Sequence, residues 1–243
     1  MTQIVIEASE IRMALGEGAS RVEALKGINL ALAGGELTLL MGPSGSGKTT
    51  LLSVLGCMLS PTSGSVNVCG RAVTGLDAED LAEVRRENIG FVFQSYHLFP
   101  TLTAAENVRL ALDVRGDCSP DARAKANKAL ATVGLAHKAN AFPRALSGGE
   151  QQRVAVARAI VGDPSVILAD EPTAALDSEN GQAVMTVLAE LAKDVSRAMF
   201  IVTHDPRIMA FADRILRIED GRIVDDQRGG ADVRALRPLK YAS

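Results

Sequence analysis

Aromatic residues are nearly missing from this sequence. Its 243 residues include no Trp, two Tyr and six Phe, and none of these falls within the first ninety positions. So few rings exclude a surface built on base stacking, the usual platform for single-stranded nucleic acid. A formal net charge of −3 removes the basic field that a nucleic-acid partner also requires. Cysteine is scarce as well. Cys57, Cys69 and Cys118 are widely spaced with no C-x-x-C, which excludes a disulfide framework and predicts reduced, mostly buried thiols in a cytosolic protein. No apolar run approaches the roughly 20 residues that cross a bilayer. The first residues lack the cationic start and apolar stretch of a signal peptide. If this protein works at a membrane, another chain is expected to do the spanning.

What is present is an ordinary globular composition, 47% hydrophobic and 23% charged. The length suits one α/β domain with an insertion, or two small domains. Within it, Gly42-Pro43-Ser44-Gly45-Ser46-Gly47-Lys48-Thr49 follows the apolar run Leu37–Met41 and precedes the helix-like Thr50–Leu55. That is strand, glycine-rich turn, helix, with the spacing G-x-x-x-x-G-K-[ST] of a phosphate-binding loop. Glycines let successive backbone N–H groups turn inward toward phosphate oxygens. The helix start adds its positive end. Lys48 offers a cation to the β- and γ-phosphates of a nucleotide, Thr49 offers a hydroxyl to Mg²⁺, and Thr50 is taken with them as a nucleotide-binding residue.

Around this loop, residues 4–15 and 22–32 read as antiparallel strands, and Ser65–Val68 as another. Asp77 reads as the N-cap of a polar helix to Arg86, and Ile89–Phe93 as a buried strand. Residues 103–134 are helical in period with no strand, Ser119-Pro120 reading as an N-cap followed by Pro at the first helical position. Strands resume at Val166–Ala169, Met199–Val202 and Ile215–Ile218, with helices at 179–195 and 206–212 between them. Asp220-Gly221 is a hairpin signal, and 226–243 reads as a tail. Alternating strands and helices predict a mostly parallel sheet, with the ligand at the carboxyl ends of its strands.

Val166-Ile167-Leu168-Ala169 runs into Asp170-Glu171. An acid at the end of a buried strand beside a phosphate loop reaches the Mg²⁺ held by Thr49, the expected role of Asp170. Glu171, one residue on and facing the other way, suits a group that polarises water beside the γ-phosphate. Leu146-Ser147-Gly148-Gly149-Glu150-Gln151-Gln152-Arg153 opens a further helix, with Ser147 as its cap.

This last motif resembles the signature sequence of ATP-binding-cassette (ABC) ATPases. The resemblance extends over about residues 4–225. Gln94 then looks like the family's Q-loop glutamine, Pro172–Asp177 like its D-loop, and His204 like its switch histidine. It implies an α/β phosphate-loop NTPase core with a mostly parallel sheet, an antiparallel N-terminal β subdomain and an inserted helical subdomain. The expected division is residues 1–94 and 162–225 for the core, 95–161 for the helical part, and 226–243 for the tail.

The resemblance also implies a mechanism. Two such domains face each other head to tail, each ATP clasped by one phosphate loop and by Ser147-Gly148-Gly149 of the other chain. Glu171 is the general base, His204 holds the γ-phosphate and the attacking water, and Gln94 joins the Mg²⁺ site to the membrane partner. Three departures stand out: Leu15 where the family usually stacks an aromatic on adenine, Glu150 where Gln is commoner, and Ala174 where Ser is common. The details resemble the branch of macrolide exporters, lipoprotein-release ATPases and heterocyst glycolipid exporters. That branch implies a permease subunit, a periplasmic adaptor, and a place on the cytoplasmic face of the inner membrane. A non-transporting ATPase that signals mechanically to periplasmic enzymes, and a polar amino acid importer subunit, are the competing readings.

Overall fold

Burial in this chain is divided between two sheets. The computed structural model describes residues 3–16 and 18–229. The strands β1 (Ile4–Leu15) and β2 (Val22–Ala33) pair antiparallel, and β4 (Ser63–Val68) and β5 (Arg71–Ala72) extend them in the order β2-β1-β4-β5. Ile6, Ala8, Ile11 and Met13 face inward from β1 while Glu7, Ser9 and Arg12 face out. That alternation is what a sheet with one wet face requires.

The larger sheet contains β3 (Leu37–Met41), β6 (Ile89–Val92), β7 (Val166–Asp170), β8 (Ala198–Thr203), β9 (Arg214–Glu219) and β10 (Arg222–Arg228), in the order β10-β9-β3-β8-β7-β6. All its pairs are parallel except β9 with β10. Its central strands are largely apolar on both faces, with Thr38 buried inside β3 and polar residues otherwise at the carboxyl ends, because both faces are covered. On one face α1 (Lys48–Leu55) lies between the sheets. Leu51, Leu52 and Leu55 meet Ile6, Ile11 and Ile28 of one sheet and Leu40, Leu168 and Phe200 of the other. On the opposite face α5 (Gly148–Ile160) and α6 (Ser178–Ala192) cover Leu39, Ile167 and Ile201. The helices α3 (Ala104–Val114) and α4 (Ala122–Thr132) pack on α5 and form the helical insertion, with no strand between residues 93 and 165.

Asp77 caps α2 (Ala78–Asn88), its carboxylate accepting from the N–H groups of Glu79 and Asp80. The thiols, expected mostly buried, are not: Cys57 is buried but Cys69, in the turn between β4 and β5, and Cys118, in the loop before α4, are exposed. Three further details depart from the sequence reading. Ser119 does not cap α4, which begins at Ala122 after Asp121. Its N–H instead donates to Asp117 Oδ1 and its carbonyl accepts from Ala122, so Ser119-Pro120 forms the turn before the helix. The segment Pro206–Phe211 is a 3-10 helix rather than an α-helix. And β10 runs to Arg228, into the stretch read as tail, because Asp226 binds Arg214 of β9 through both oxygens at 2.7 Å. The rest of that tail, 230–243, lies outside the described residues.

Candidate active site

The carboxyl ends of β3, β7 and β8 open into one cavity of about 610 Å³. Ser44, Gly45, Gly47, Lys48, Thr49 and Thr50 line it from the glycine-rich turn, Asp170 and Glu171 from the end of β7, Gln94 from beyond β6, and His204 from beyond β8. Leu15 and Ala24, from the antiparallel sheet, close its outer side. Gly42, Pro43 and Ser46, also expected at the nucleotide, belong to the same turn but do not line the cavity. There a side chain at position 42 would meet the Ile218 carbonyl at 2.2 Å, so only glycine fits. Gly45 and Gly47 hold φ of +79° and +101°, the region that glycine enters freely.

Lys48 folds back over its own loop. Its ammonium donates to the carbonyls of Gly42 and Pro43, both at 2.8 Å. A second support comes from the β9–β10 hairpin. The Gly221 N–H donates to the Ser46 carbonyl at 3.0 Å, and Lys26 clasps Asp220 at 2.6 Å. The hairpin was legible in Asp220-Gly221, but this brace on the phosphate loop was not.

The two acids share the cavity. Asp170 ends β7, and burial pushes its carboxyl up from the usual range, with the neighbouring Glu171 charge adding to the rise and the Thr49 hydroxyl and Lys48 opposing it. Glu171 leaves the strand with φ +47°, and its N–H donates to the Val202 carbonyl at 2.9 Å. That left-handed step, which the sequence reading lacked, brings Glu171 into the same cavity as Asp170 rather than to the opposite face. There Glu171 accepts from the Thr203 hydroxyl at 3.2 Å and contacts His204 Nδ1 at 2.6 Å.

Ser147, Gly148 and Gly149 do not reach this cavity. Ser147 caps α5 in a reciprocal box with Glu150, whose carboxyl is held down chiefly by the Ser147 N–H. Gly149 is buried against α6, where a side chain would strike Asn180. The loop after Gln94 is held by Asn107, which the sequence reading did not single out as a site residue. Asn107 is fully buried in α3, accepts from the Phe99 N–H at 2.7 Å, and donates to the carbonyls of Phe99, Leu102 and Thr103. Its only signal was an amide on the apolar face shared by Ala104 and Val108.

A parallel sheet with a phosphate loop at its centre, facing acids at the end of a neighbouring strand, defines a phosphate-loop nucleoside triphosphatase. The chain belongs to the ABC transporter family, whose profile matches residues 25–174, and it carries that family's ATPase cassette. It is 45% identical over 220 residues, 90% of its length, to a macrolide export ATP-binding/permease protein of Escherichia coli. It is 43% identical over 233 residues, 96% of its length, to the protein of the same description in Bradyrhizobium diazoefficiens. The chain spans about a third of the length of these relatives, 34% and 36%. Among solved structures, it resembles a dimeric post-hydrolysis state of the ATP-binding cassette MJ0796 bound to ADP and Pi. That match has 40% identity and a TM-score of 0.83, covering 92% of this chain and 98% of the other. The cassette cbiO1 of Clostridium perfringens gives 28% and 0.84, covering 96% and 91%.

Proposed function

We propose that this chain powers export through a membrane permease, working as a head-to-tail pair whose two ATP sites are each built from both chains. The observation that carries the proposal is the separation just described. The cavity gathers the loop, both acids, Gln94 and His204, while Ser147-Gly148-Gly149 begins a helix outside it. A second chain presenting that helix start would complete the cavity. The dimeric form of a cassette 40% identical to this one supports the reading, as does the identity with macrolide export proteins.

In this reading Gly42 to Thr50 cradle the phosphates and Lys48 turns from its loop carbonyls to the β- and γ-oxygens. Hard oxygen donors at Thr49, Asp170 and Gln94 fit Mg²⁺, a cation that keeps to oxygen ligands and shares its shell with substrate phosphates. Bound there, Mg²⁺ supplies neutralising charge. Glu171 takes a proton from water, the water oxygen bonds to the γ-phosphorus, and the bond to the bridging oxygen breaks, leaving its electrons on ADP. His204 orients the water and the γ-phosphate. Ser147-Gly148-Gly149 of the second chain directs N–H groups at the same phosphate. The partners are a second copy, an integral membrane permease and a periplasmic adaptor, and the chain itself works on the cytoplasmic face of the inner membrane. No helix among the described residues is long and apolar enough to cross a membrane.

The test is capture of the tagged chain from native membranes. A multi-span permease with a large external domain is the expected partner, and its ATPase activity should respond to export substrates. A periplasmic solute-binding protein in the captured complex instead would indicate import.

A further inference from the structure

The backbone just beyond Gln94 is held in an unfavourable shape. Tyr96 and His97 both have left-handed backbone, with φ +55° and +48°. Residues with a Cβ occupy this region rarely and singly, so two in a row need an external hold. That hold is Arg158, near the end of α5. Its Nη2 donates to the Tyr96 carbonyl and its Nη1 to the His97 carbonyl, each at 2.6 Å. The planar fork of a guanidinium suits two adjacent carbonyls in a way an ammonium does not. Burial pushes the Arg158 guanidinium down from the usual arginine range, and among the described residues no carboxylate pairs with it. A half-buried cation whose partners are carbonyl dipoles is an expensive way to hold a turn, and a neutral donor would suffice for stability alone.

The same helix grips this segment at two other levels. Gln152, fully buried, directs its Nε2 at the Phe93 carbonyl at 3.4 Å, and its Oε1 has no protein partner. At the start of α5, a Cβ on Gly148 would lie 3.0 Å from the Tyr96 hydroxyl. The helix that begins with Ser147-Gly148-Gly149 therefore bonds the backbone on both sides of Gln94, at Phe93 through Gln152 and at Tyr96 and His97 through Arg158.

We propose that Arg158 is a positioning residue of the composite ATP site, locking the turn after Gln94 to α5 so that the two move as one body. A displacement of Gln94 at one nucleotide then re-aims Ser147-Gly148-Gly149 at the nucleotide of the second chain. Arg158 does this without touching either nucleotide. The inference rests on the two-chain reading above.

The experiment uses the full chain with Mg-ATP, in a Glu171→Gln background for dimer formation and with Glu171 intact for turnover. Arg158→Ala should bind a fluorescent ATP analogue within about twofold of the parent, because Arg158 does not line the cavity. It should lose about tenfold or more in ATP-driven dimerisation and in kcat, the scale of a typical coupling between two sites. Arg158→Lys, which keeps the charge without the fork, should recover only part. Adding His97→Asn to Arg158→Ala should also recover part, since Asn accepts left-handed backbone without the guanidinium. A purely structural role would lower the melting temperature while leaving dimerisation and kcat per folded molecule unchanged, and that result overturns the proposal. A parallel loss of ATP affinity also overturns it. Should Arg158→Ala fail to fold, Arg158→Lys decides by the same readouts, and parental dimerisation and turnover in it overturn the proposal. If Glu171→Gln alone forms no dimer, the two-chain reading fails. If it dimerises, and does so equally with Arg158→Ala, that reading stands and only the role of Arg158 falls.

Discussion

His204 Nδ1 and Glu171 Oε1 stand 2.6 Å apart at the mouths of two adjacent parallel strands. The imidazole is largely exposed and the carboxylate largely covered, so the pair is anchored from the Glu171 side. An anchored carboxylate aimed into the cavity is the geometry a general base requires. Glu171→Gln keeps the shape and removes the basicity. It should bind ATP as the parent does, lose about 10²–10⁴ in turnover, and accumulate as an ATP-bound dimer. Phosphate release and gel filtration with Mg-ATP check both. Turnover within a few fold of wild type would remove Glu171 from the chemistry.

Two inactive variants should complement each other. Ser147→Arg leaves the phosphate loop intact but places a bulky cation where the second chain's γ-phosphate belongs. Lys48→Ala loses tight ATP binding. In a mixture, one of the two sites combines an intact loop with an intact Ser147-Gly148-Gly149, so part of the ATPase activity should return. Sites built within single chains predict no recovery. The assay belongs in the assembled complex, with the trapped Glu171→Gln dimer as the control for turnover that needs both sites.

Among the described residues, the outer side of the cavity offers a base only Leu15 and Ala24. Base–aromatic stacking contributes about 1–3 kcal/mol, and a factor of ten in affinity is about 1.4 kcal/mol. ATP should therefore bind loosely and GTP nearly as well, while Leu15→Tyr should tighten both. Titration of the two proteins with both nucleotides checks this. A strong ATP preference that Leu15→Tyr does not improve would show that the base lies elsewhere.

Phe99 is 51% exposed, yet the loop that presents it is fastened from beneath by Asn107. The two positions should fail differently. Phe99→Asp should detach the cassette from its permease while leaving folding and ATP binding intact. Asn107→Ala leaves backbone groups without partners and should cost about 1–3 kcal/mol of stability. Urea unfolding and co-purification separate the two effects. Loss of folded protein from Phe99→Asp would make Phe99 a core residue instead.

Much of this molecule could be read in advance because its signals are local. Asp77 with helix-prone residues after it, the pairs Ile4/Ile6 and Ile11/Met13 two residues apart, and the glycines around Lys48 each act within a few residues of themselves. The acids at 170 and 171 were found because a buried apolar strand announced them. What escaped were contacts between distant positions. The brace from Gly221 to Ser46, the bidentate pair of Asp226 with Arg214, and the grip of Arg158 on Tyr96 and His97 join segments whose adjacency only the packed sheet creates. Ser119-Pro120 was misread for the opposite reason. Its cap signature is sound locally, but the Ser119 hydroxyl accepts from no helix N–H and Asp121 stands at the cap position two residues later.

The two bonds from Lys48 to the carbonyls of Gly42 and Pro43 tie the far end of the loop to its start. Glycines at 42, 45 and 47 leave this backbone little stiffness of its own. The lysine works as a buckle, closing the turn on itself across the junction of β3 and α1. Shortening that side chain would slacken the loop as well as remove a charge from the cavity, so a fall in affinity at this position mixes lost order with lost attraction.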